Sequence, residues 1–319
     1  MTVTPAVPHL PENPAYSSPV PREFVHKAAH AEVLLTGWRR RGEREFEVGA
    51  QWPRDHGFWR TGGDGVQDPM LLVETTRQVL PMLAHAAYGV PREHQLIWDH
   101  HHCRFAAPLL HVEDRPAEVV LRLTASHPPA PGRRLRRLAL EMTVSGGGRT
   151  LGRASTVFSA HSPEVYARLR GRSAVEPSAA MAAALRPPPP LAPPLVGRES
   201  EREVVLAPAE EAGRRQLRVL TCSPWLFDHP VDHVPGMLLM EAARQSGHHA
   251  MAGGQPRLVR MEAQFERYVD LDAPSWVEVS EPSGAGADGE RRVTVTVLQR
   301  GVRAFGAVVG FAAAAGLGT

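Results

Sequence analysis

Two short segments set 167 residues apart constrain this chain more than any other feature. Asp68 to Gln78 reads DPMLLVETTRQ, and Val234 to Gln245 reads VPGMLLMEAARQ. With the Met-Leu-Leu triplets superposed, Glu74 falls on Glu241, Arg77 on Arg244 and Gln78 on Gln245. Asp55-His56 and Asp228-His229 precede the two segments, 173 residues apart. Near the end of each half, TLGRASTVFSA and RAFGAVVGFAA set Gly152 near Gly306 and Phe158 near Phe311. A period well over 100 residues is too long for a solenoid unit. It predicts a duplicated domain, and 319 residues suffice for two cores.

The segments between the matches give provisional boundaries. Residues 1–22 hold six prolines and few apolar side chains, which predicts a disordered or loosely docked tail. An Ala/Pro-rich stretch over 161–200, including LRPPPPLAPPLVG, cannot join a central strand, because proline lacks the backbone donor. It reads as a semi-extended linker between domains at 23–160 and 201–315. A net charge of +2 gives no reason to expect nucleic acid, and arginine pairs such as Arg136-Arg137 read as solvated surface. Two cysteines, Cys103 and Cys222, make no disulfide framework and fit a reducing, cytoplasmic compartment. The N-terminus lacks the pattern of a signal peptide, and no run of 18 apolar residues predicts a membrane helix.

Within each half the pattern is one helix followed by strands. Pro235 opens a helix to about Met251, ended by Gly253-Gly254. Asp68 and Pro69 open its counterpart over 69–87, where Pro81 predicts a kink or an end near Leu80. LLTGWRR, EFEVGAQW, HQLIWDHHHCRFA, AEVVLRLTA, RLALEMTVS and GRASTVFSA read as strands of the first half. REVVLAP, RLVRMEAQFERYVD, SWVEVSE, VTVTVLQR and VRAFGAVVGFA do so in the second. Gly146 to Gly148 is a hairpin turn, since no helix follows it as in a phosphate loop. The fold class is α+β: two hotdog domains in tandem, each a long central helix wrapped by a curved antiparallel sheet, packed as a pseudo-dimer.

The second helix is apolar nearly all round, so it is expected to be buried with Glu241 inside it. Burial raises a carboxyl's pKa toward the range useful for acid–base work. Arg244, three residues on, lies on the same face and either keeps Glu241 ionised or binds an anionic substrate. The bland alternative is a partly buried structural ion pair, inherited by both copies as Glu74–Arg77.

WLFDHPVDHVPGMLLMEAARQSG resembles the active-site segment of β-hydroxyacyl-carrier-protein dehydratases, with Pro235, Gly236, Leu238, Glu241, Ala242 and Gln245 on its helix pattern. His229 stands 12 residues before Glu241, about two short of that pattern, and His233 is also displaced, which speaks against a simple dehydratase. A longer resemblance, over roughly 23–315, is to the A-factor biosynthesis family of γ-butyrolactone synthases, built from two hotdog repeats. It runs through VHKAAHAEVLLTGWRR, FEVGAQWPRDHGFW, DPMLLVETTRQ, LAHAAYGVP and FDHPVDHVPGMLLMEAARQ. Pro81 and WDHHHCRF depart from it.

That resemblance implies an acyltransferase. It joins a β-ketoacyl group carried on acyl carrier protein to the hydroxyl of dihydroxyacetone phosphate, with no cofactor and no metal. It implies Glu241, Arg244 and Glu74 as catalytic residues, with Arg77 the repeat partner of Arg244. In this scheme Glu241 is the general base, Arg244 holds the phosphate, and the Gly236 N–H at the helix start polarises the thioester carbonyl. A dehydratase or thioesterase on acyl thioesters, or a non-catalytic acyl-binding regulator, are the competing readings. Acyl chain length, the number of active halves and the oligomeric state are left open.

Other residues carry weaker signals. His56 and His229 either orient substrate or satisfy backbone groups. His100 and His102 share a strand face without four convergent metal ligands, and a surface or rim role is expected for the run. Cys103 and Cys222 have no base beside them and read as inert thiols.

Overall fold

A computed structural model describes residues 18–313 apart from 107–110, 127, 129–133, 212, 252–255 and 287–288. Residues 1–17 of the expected tail and Gly253-Gly254, the expected helix stop, lie outside the described residues. The chain divides into two compact units, Met1–Leu169 and Arg170–Thr319.

Unit 1 carries β1 (Leu35–Arg40), β2 (Glu45–Trp52), α1 (Met70–Met82), β3 (Gln95–Phe105), β4 (Ala117–Ser126), β5 (Arg137–Gly146) and β6 (Arg149–His161). Its antiparallel sheet runs β1-β2-β4-β5-β6-β3. After α2 (Pro163–Arg170) and α3 (Pro177–Ala182), unit 2 carries β7 (Leu206–Pro208), β8 (Arg214–Leu217), α4 (Gly236–Ala250), β9 (Arg257–Phe265), β10 (Ser275–Val279), β11 (Arg291–Gln299) and β12 (Val302–Ala312). Its sheet runs β7-β8-β10-β11-β12-β9, the same order in the same places. The helix enters after the second strand in both, so the duplication extends to topology. These are tandem hotdog domains.

Alternation of side chains decides which sheet face receives the helix. In unit 1, Phe46, Val48, Ala50 and Trp52 of β2 and Val119, Leu121 and Leu123 of β4 are buried on the α1 face. Trp52 Nε1 donates to the Thr75 hydroxyl of α1 at 2.7 Å, fixing the helix against β2. In unit 2, α4 packs on β12, β11, β10 and β9. The approach to β12 is so close that a Cβ on Gly247 would lie 2.4 Å from the Phe311 ring.

Locally, one expectation holds, one changes and one strand is new. Asp68 caps α1 through its carboxylate, which accepts from Met70 N at 2.8 Å, with Pro69 just before the helix. Pro81 neither ends nor breaks it: the α-helix continues to Met82 and then widens into a π-helical turn, Leu83–Ala87. Strand β8, RRQL, has no apolar alternation and was not foreseen.

The Pro-rich stretch runs extended but docked. Leu185 N donates to Leu271 O and Leu191 N to Leu206 O. At its start the buried Arg170 guanidinium contacts Asp232 (3.1 Å) and Asp270 (3.0 Å) and lies over the Tyr268 ring. Arg170 thereby ties this stretch to the loop that leads into α4.

Candidate active site

Glu241 lies in the second turn of α4 and is wholly buried. Its carboxylate accepts from Arg244 Nε (3.0 Å to Oε2) and Arg244 Nη2 (2.8 Å to Oε1). Arg198 Nε donates to Oε1 at 3.0 Å, and Gln245 Nε2 does so at 2.7 Å. Gln245 also donates to Glu203 O and accepts from Val205 N, which fixes the chain entering β7.

Unit 1 repeats the arrangement. Glu74, equally buried, accepts from Arg77 Nε (2.9 Å) and Nη2 (2.8 Å) and from Gln78 Nε2 (2.9 Å), with Lys27 Nζ at 3.2 Å. Gln78 donates to Glu32 O and accepts from Leu34 N, fixing the entry to β1.

Lys27 and Arg198 were missed by sequence reasoning. The signal was present: each stands five residues before a glutamate, Glu32 or Glu203, at a constant offset of 171. Arg198 lay hidden in the stretch read as linker. Each cation also follows a residue with positive φ, His26 (+53°) or Gly197 (+66°). Glycine adopts that conformation freely, whereas a side chain strains in it. His26 is held by His85, whose Nε2 lies 2.8 Å away and whose Nδ1 bonds Val90 O.

Burial pushes Glu241 upward, but Arg198 and Arg244 outweigh it and hold its carboxyl at about 2. Arg77 and Lys27 do the same for Glu74, also to about 2. Of the two outcomes open from sequence, the carboxyl raised by burial is corrected and the one kept ionised by Arg244 holds. The physical reason is the second cation, which converts an ion pair into a carboxylate between two positive charges. Such a group has little affinity for a proton at neutral pH, so the expected general-base role for Glu241 does not follow.

The two sites differ in how the glutamate ahead of the first strand is engaged. In unit 1, Glu32 Oε2 lies 4.0 Å from Lys27 Nζ and 3.4 Å from His56 Nε2, so a second carboxylate faces the cations. In unit 2 the matching Glu203 accepts instead from the Glu199 and Ser200 N–H groups as a helix cap.

The histidines before the helices diverge as well. His56 is buried and its Nδ1 accepts from Phe58 N and Trp59 N, the backbone-satisfying role. His229 is 42% exposed, and its Nδ1 bonds the buried carboxylate of Asp228 at 2.5 Å. That leaves Nε2 as the nitrogen able to accept a proton. Gly236 is the first residue of α4, with Pro235 as its cap, so its N–H belongs to the helix's positive end.

The rim expectation for the histidine run is corrected in part. A bulge after Trp98 sets His100 and His102 outward with their rings 4.9 Å apart, while His101 turns fully inward. His101 Nε2 lies 3.1 Å from Cys103 Sγ and 3.2 Å from the Thr76 hydroxyl. Burial lowers His101 to about 3 and raises the Cys103 thiol, so both are neutral. Cys222 is exposed.

A family model described as the A-factor biosynthesis hotdog domain matches residues 10–162 and again 179–311. The chain belongs to the A-factor biosynthesis hotdog family. It is 43% identical over 302 residues to a Streptomyces virginiae protein named 2-oxo-3-(phosphooxy)propyl 3-oxoalkanoate synthase, covering 94% of this chain and 99% of that one. A Streptomyces griseus protein of the same name is 34% identical, covering 89% of this chain and 91% of that one. Among solved structures, a putative oleoyl thioesterase from Lactobacillus plantarum matches with a TM-score of 0.52 at 10% identity. It covers 84% of this chain and 97% of that one, a likeness of fold alone. In this family member, neither domain contains a helix long and apolar enough to cross a membrane among the described residues.

Proposed function

We propose that this chain is an acyltransferase that joins a β-ketoacyl group from acyl carrier protein to the hydroxyl of dihydroxyacetone phosphate, in γ-butyrolactone signal biosynthesis. The names of the Streptomyces relatives support the reaction class. The observation that carries it to residues is the pair of guanidiniums buried together on one carboxylate in unit 2. There two guanidiniums meet Glu241 in a dry setting, and Glu203 is engaged elsewhere. A phosphate is the anion such a site takes, because guanidinium binds it as a planar fork.

Glu241 then serves to hold Arg198 and Arg244 in place, a positioning role. Arg244 draws the phosphate of dihydroxyacetone phosphate. His229, oriented by Asp228, takes the proton from the substrate hydroxyl through Nε2. The alkoxide oxygen attacks the thioester carbonyl, the C–O bond forms and the C–S bond breaks. The imidazolium returns its proton to the departing thiolate, so the carrier's thiol is regenerated. The Gly236 N–H, at the positive end of α4, polarises the carbonyl. In this reading the unit 1 site, Glu74 with Arg77 and with Glu32 beside Lys27, is structural, in place of the catalytic role first expected for Glu74.

The test combines purified protein, a β-ketoacyl thioester and dihydroxyacetone phosphate, with mass spectrometry for the phosphorylated ester. Product that disappears in Arg244→Ala supports the reading. No product with any acyl chain length overturns it.

A further inference from the structure

Shortly before the central helix, the two units hold the chain by different means. At the helix offset of 167, Asp232 falls on Gly65 and His233 on Val66. In unit 1 the Gly65 carbonyl accepts from Val112 N at 2.8 Å, and Val66 forms a β-bridge with His111. There the pin is backbone. In unit 2 the Asp232 carbonyl accepts from Arg170 Nη2 at 2.9 Å. A guanidinium does there what a neighbouring segment's backbone does in unit 1.

Arg170 ends α2 and opens unit 2, and its side chain is buried. Its other donors reach two carboxylates: Nε lies 3.1 Å from Asp232 Oδ2, and Nη1 lies 3.0 Å from Asp270 Oδ1. The guanidinium sits 4.7 Å from the centre of the Tyr268 ring. Asp270 is itself anchored. Its Oδ2 accepts from the Ser173 hydroxyl at 3.0 Å and from Arg300 at 2.6 Å. Its backbone N–H and carbonyl are both bonded by the Gln299 side chain, at the end of β11. Burial raises Asp270, yet the bonds from Arg300 and Ser173 and the charge of Arg170 bring it below the ordinary carboxylate range.

Asp232 passes this order on. Its Oδ1 lies 2.7 Å from His233 Nδ1, and the His233 ring stands edge-on to Tyr268 with centroids 4.7 Å apart. A carboxylate only accepts, so His233 Nδ1 carries the proton. Val234 N then donates to Val269 O at 2.8 Å, and Pro235 caps α4. His229 stands three residues before Asp232, and Gly236 four residues after it. The Arg170 contacts therefore fall midway between the two groups to which the proposed reaction gives proton transfer and carbonyl polarisation.

We infer that Arg170 is a positioning residue for the acyl transfer, acting through Asp232 to fix the 228–235 loop that presents His229, His233 and the start of α4. The inference rests on the reading above, in which His229 and the Gly236 N–H act on the substrates. Lysine at 170 keeps the charge but lacks the planar fork that spans both carboxylates and the carbonyl. A shift of about 1 Å at a reacting group costs on the order of 100-fold in rate.

Arg170→Lys is the test, and Asp270→Asn is its control. Both loosen the network and lower the urea midpoint, but only Arg170→Lys frees the loop. The expected result for Arg170→Lys is a fall in kcat of about tenfold or more, with KM for dihydroxyacetone phosphate within about threefold, since Arg244 holds the phosphate. Asp270→Asn keeps kcat within about threefold. Unchanged kcat in Arg170→Lys, or equal losses in the two variants, overturns the inference. If Arg170→Lys does not fold, Asp232→Asn, which keeps the carbonyl contact, is expected to lower kcat in the same sense, and an unchanged kcat there overturns it. If wild type forms no product, the functional reading fails, and the imidazole 15N signals decide the inference by themselves. Arg170→Lys, or Asp232→Asn in its place, is expected to move those of His229 and His233 and to leave that of His56 in unit 1. Unmoved His229 and His233 signals reject it.

Discussion

Units 1 and 2 hold the same buried triad on the same helix, yet surround it differently. Glu74, Arg77 and Gln78 repeat as Glu241, Arg244 and Gln245, and each glutamine fixes the chain entering the first strand. Around that constant centre the second cation is Lys27 in one unit and Arg198 in the other. A counter-carboxylate, Glu32, faces the cations in unit 1, whereas Glu203 caps a turn in unit 2. The histidine turns inward in unit 1 and outward in unit 2. The centre therefore ties helix to strand in both copies, and in the proposed reading what surrounds it separates a scaffold from a reactive site.

The largest expected effect tests the shared part. Glu74→Gln and Glu241→Gln each leave two cations buried around a neutral amide. Removing one partner of such a buried group costs roughly 3–5 kcal/mol. Urea unfolding followed by circular dichroism should show both losses at similar size. A loss below 1 kcal/mol in either unit would mean that its cations find water, and the dry-site description would fail there.

Acidification reads the same centre without mutation. Both carboxyls are held near 2 against an ordinary 4.5. A depressed carboxyl contributes stability that is fully present above the unfolded value and is lost as pH falls through the folded one. At about 1.4 kcal/mol per unit of displacement, each contributes roughly 3 kcal/mol. Stability should fall between pH 4.5 and 2. If Glu241→Gln loses as much over that window as wild type, Glu241 is not the titrating group.

The histidines sharpen the difference between the units. His229→Ala should lower kcat about 100-fold or more, the size of a lost general base, with little change in unfolding. His56→Ala should instead cost roughly 1–3 kcal/mol of stability, since Phe58 and Trp59 lose the acceptor of their N–H groups. Equal kinetic effects from the two substitutions would remove the functional distinction between the units.

Much of the fold was legible because apolar periodicity carries it. Eleven of the strands and both long helices were read from alternation or an all-round apolar pattern, and the Met-Leu-Leu superposition aligned the two centres correctly. What was not legible depended on tertiary partners. Whether the glutamate in the apolar helix is raised by burial or kept ionised by Arg244 stays open until Arg198, 43 residues away, is seen beside it. The identical Asp-His dipeptides gave no hint that one histidine accepts from backbone while the other pairs with its aspartate. His101 had a readable clue, since it shares its strand face with Cys103 and Phe105, both buried.

The smallest effect concerns the turn that presents the second cation. Gly197 takes φ +66° without strain, whereas His26 takes +53° with a side chain and is held by His85. His26→Gly relieves about 1 kcal/mol of backbone strain and loses a hydrogen bond of similar worth, so stability should change by less than about 1 kcal/mol. Gly197→His should be worse, because a Cβ there would lie 2.8 Å from the His248 ring. Thermal melts of the two single variants decide this. If both lose equally, the turns are not equivalent, and the Lys27–Arg198 correspondence loses its structural basis. If only Gly197→His is destabilised, the two units reach one backbone geometry by different means: a residue without a side chain in one, a side chain held by a neighbouring histidine in the other.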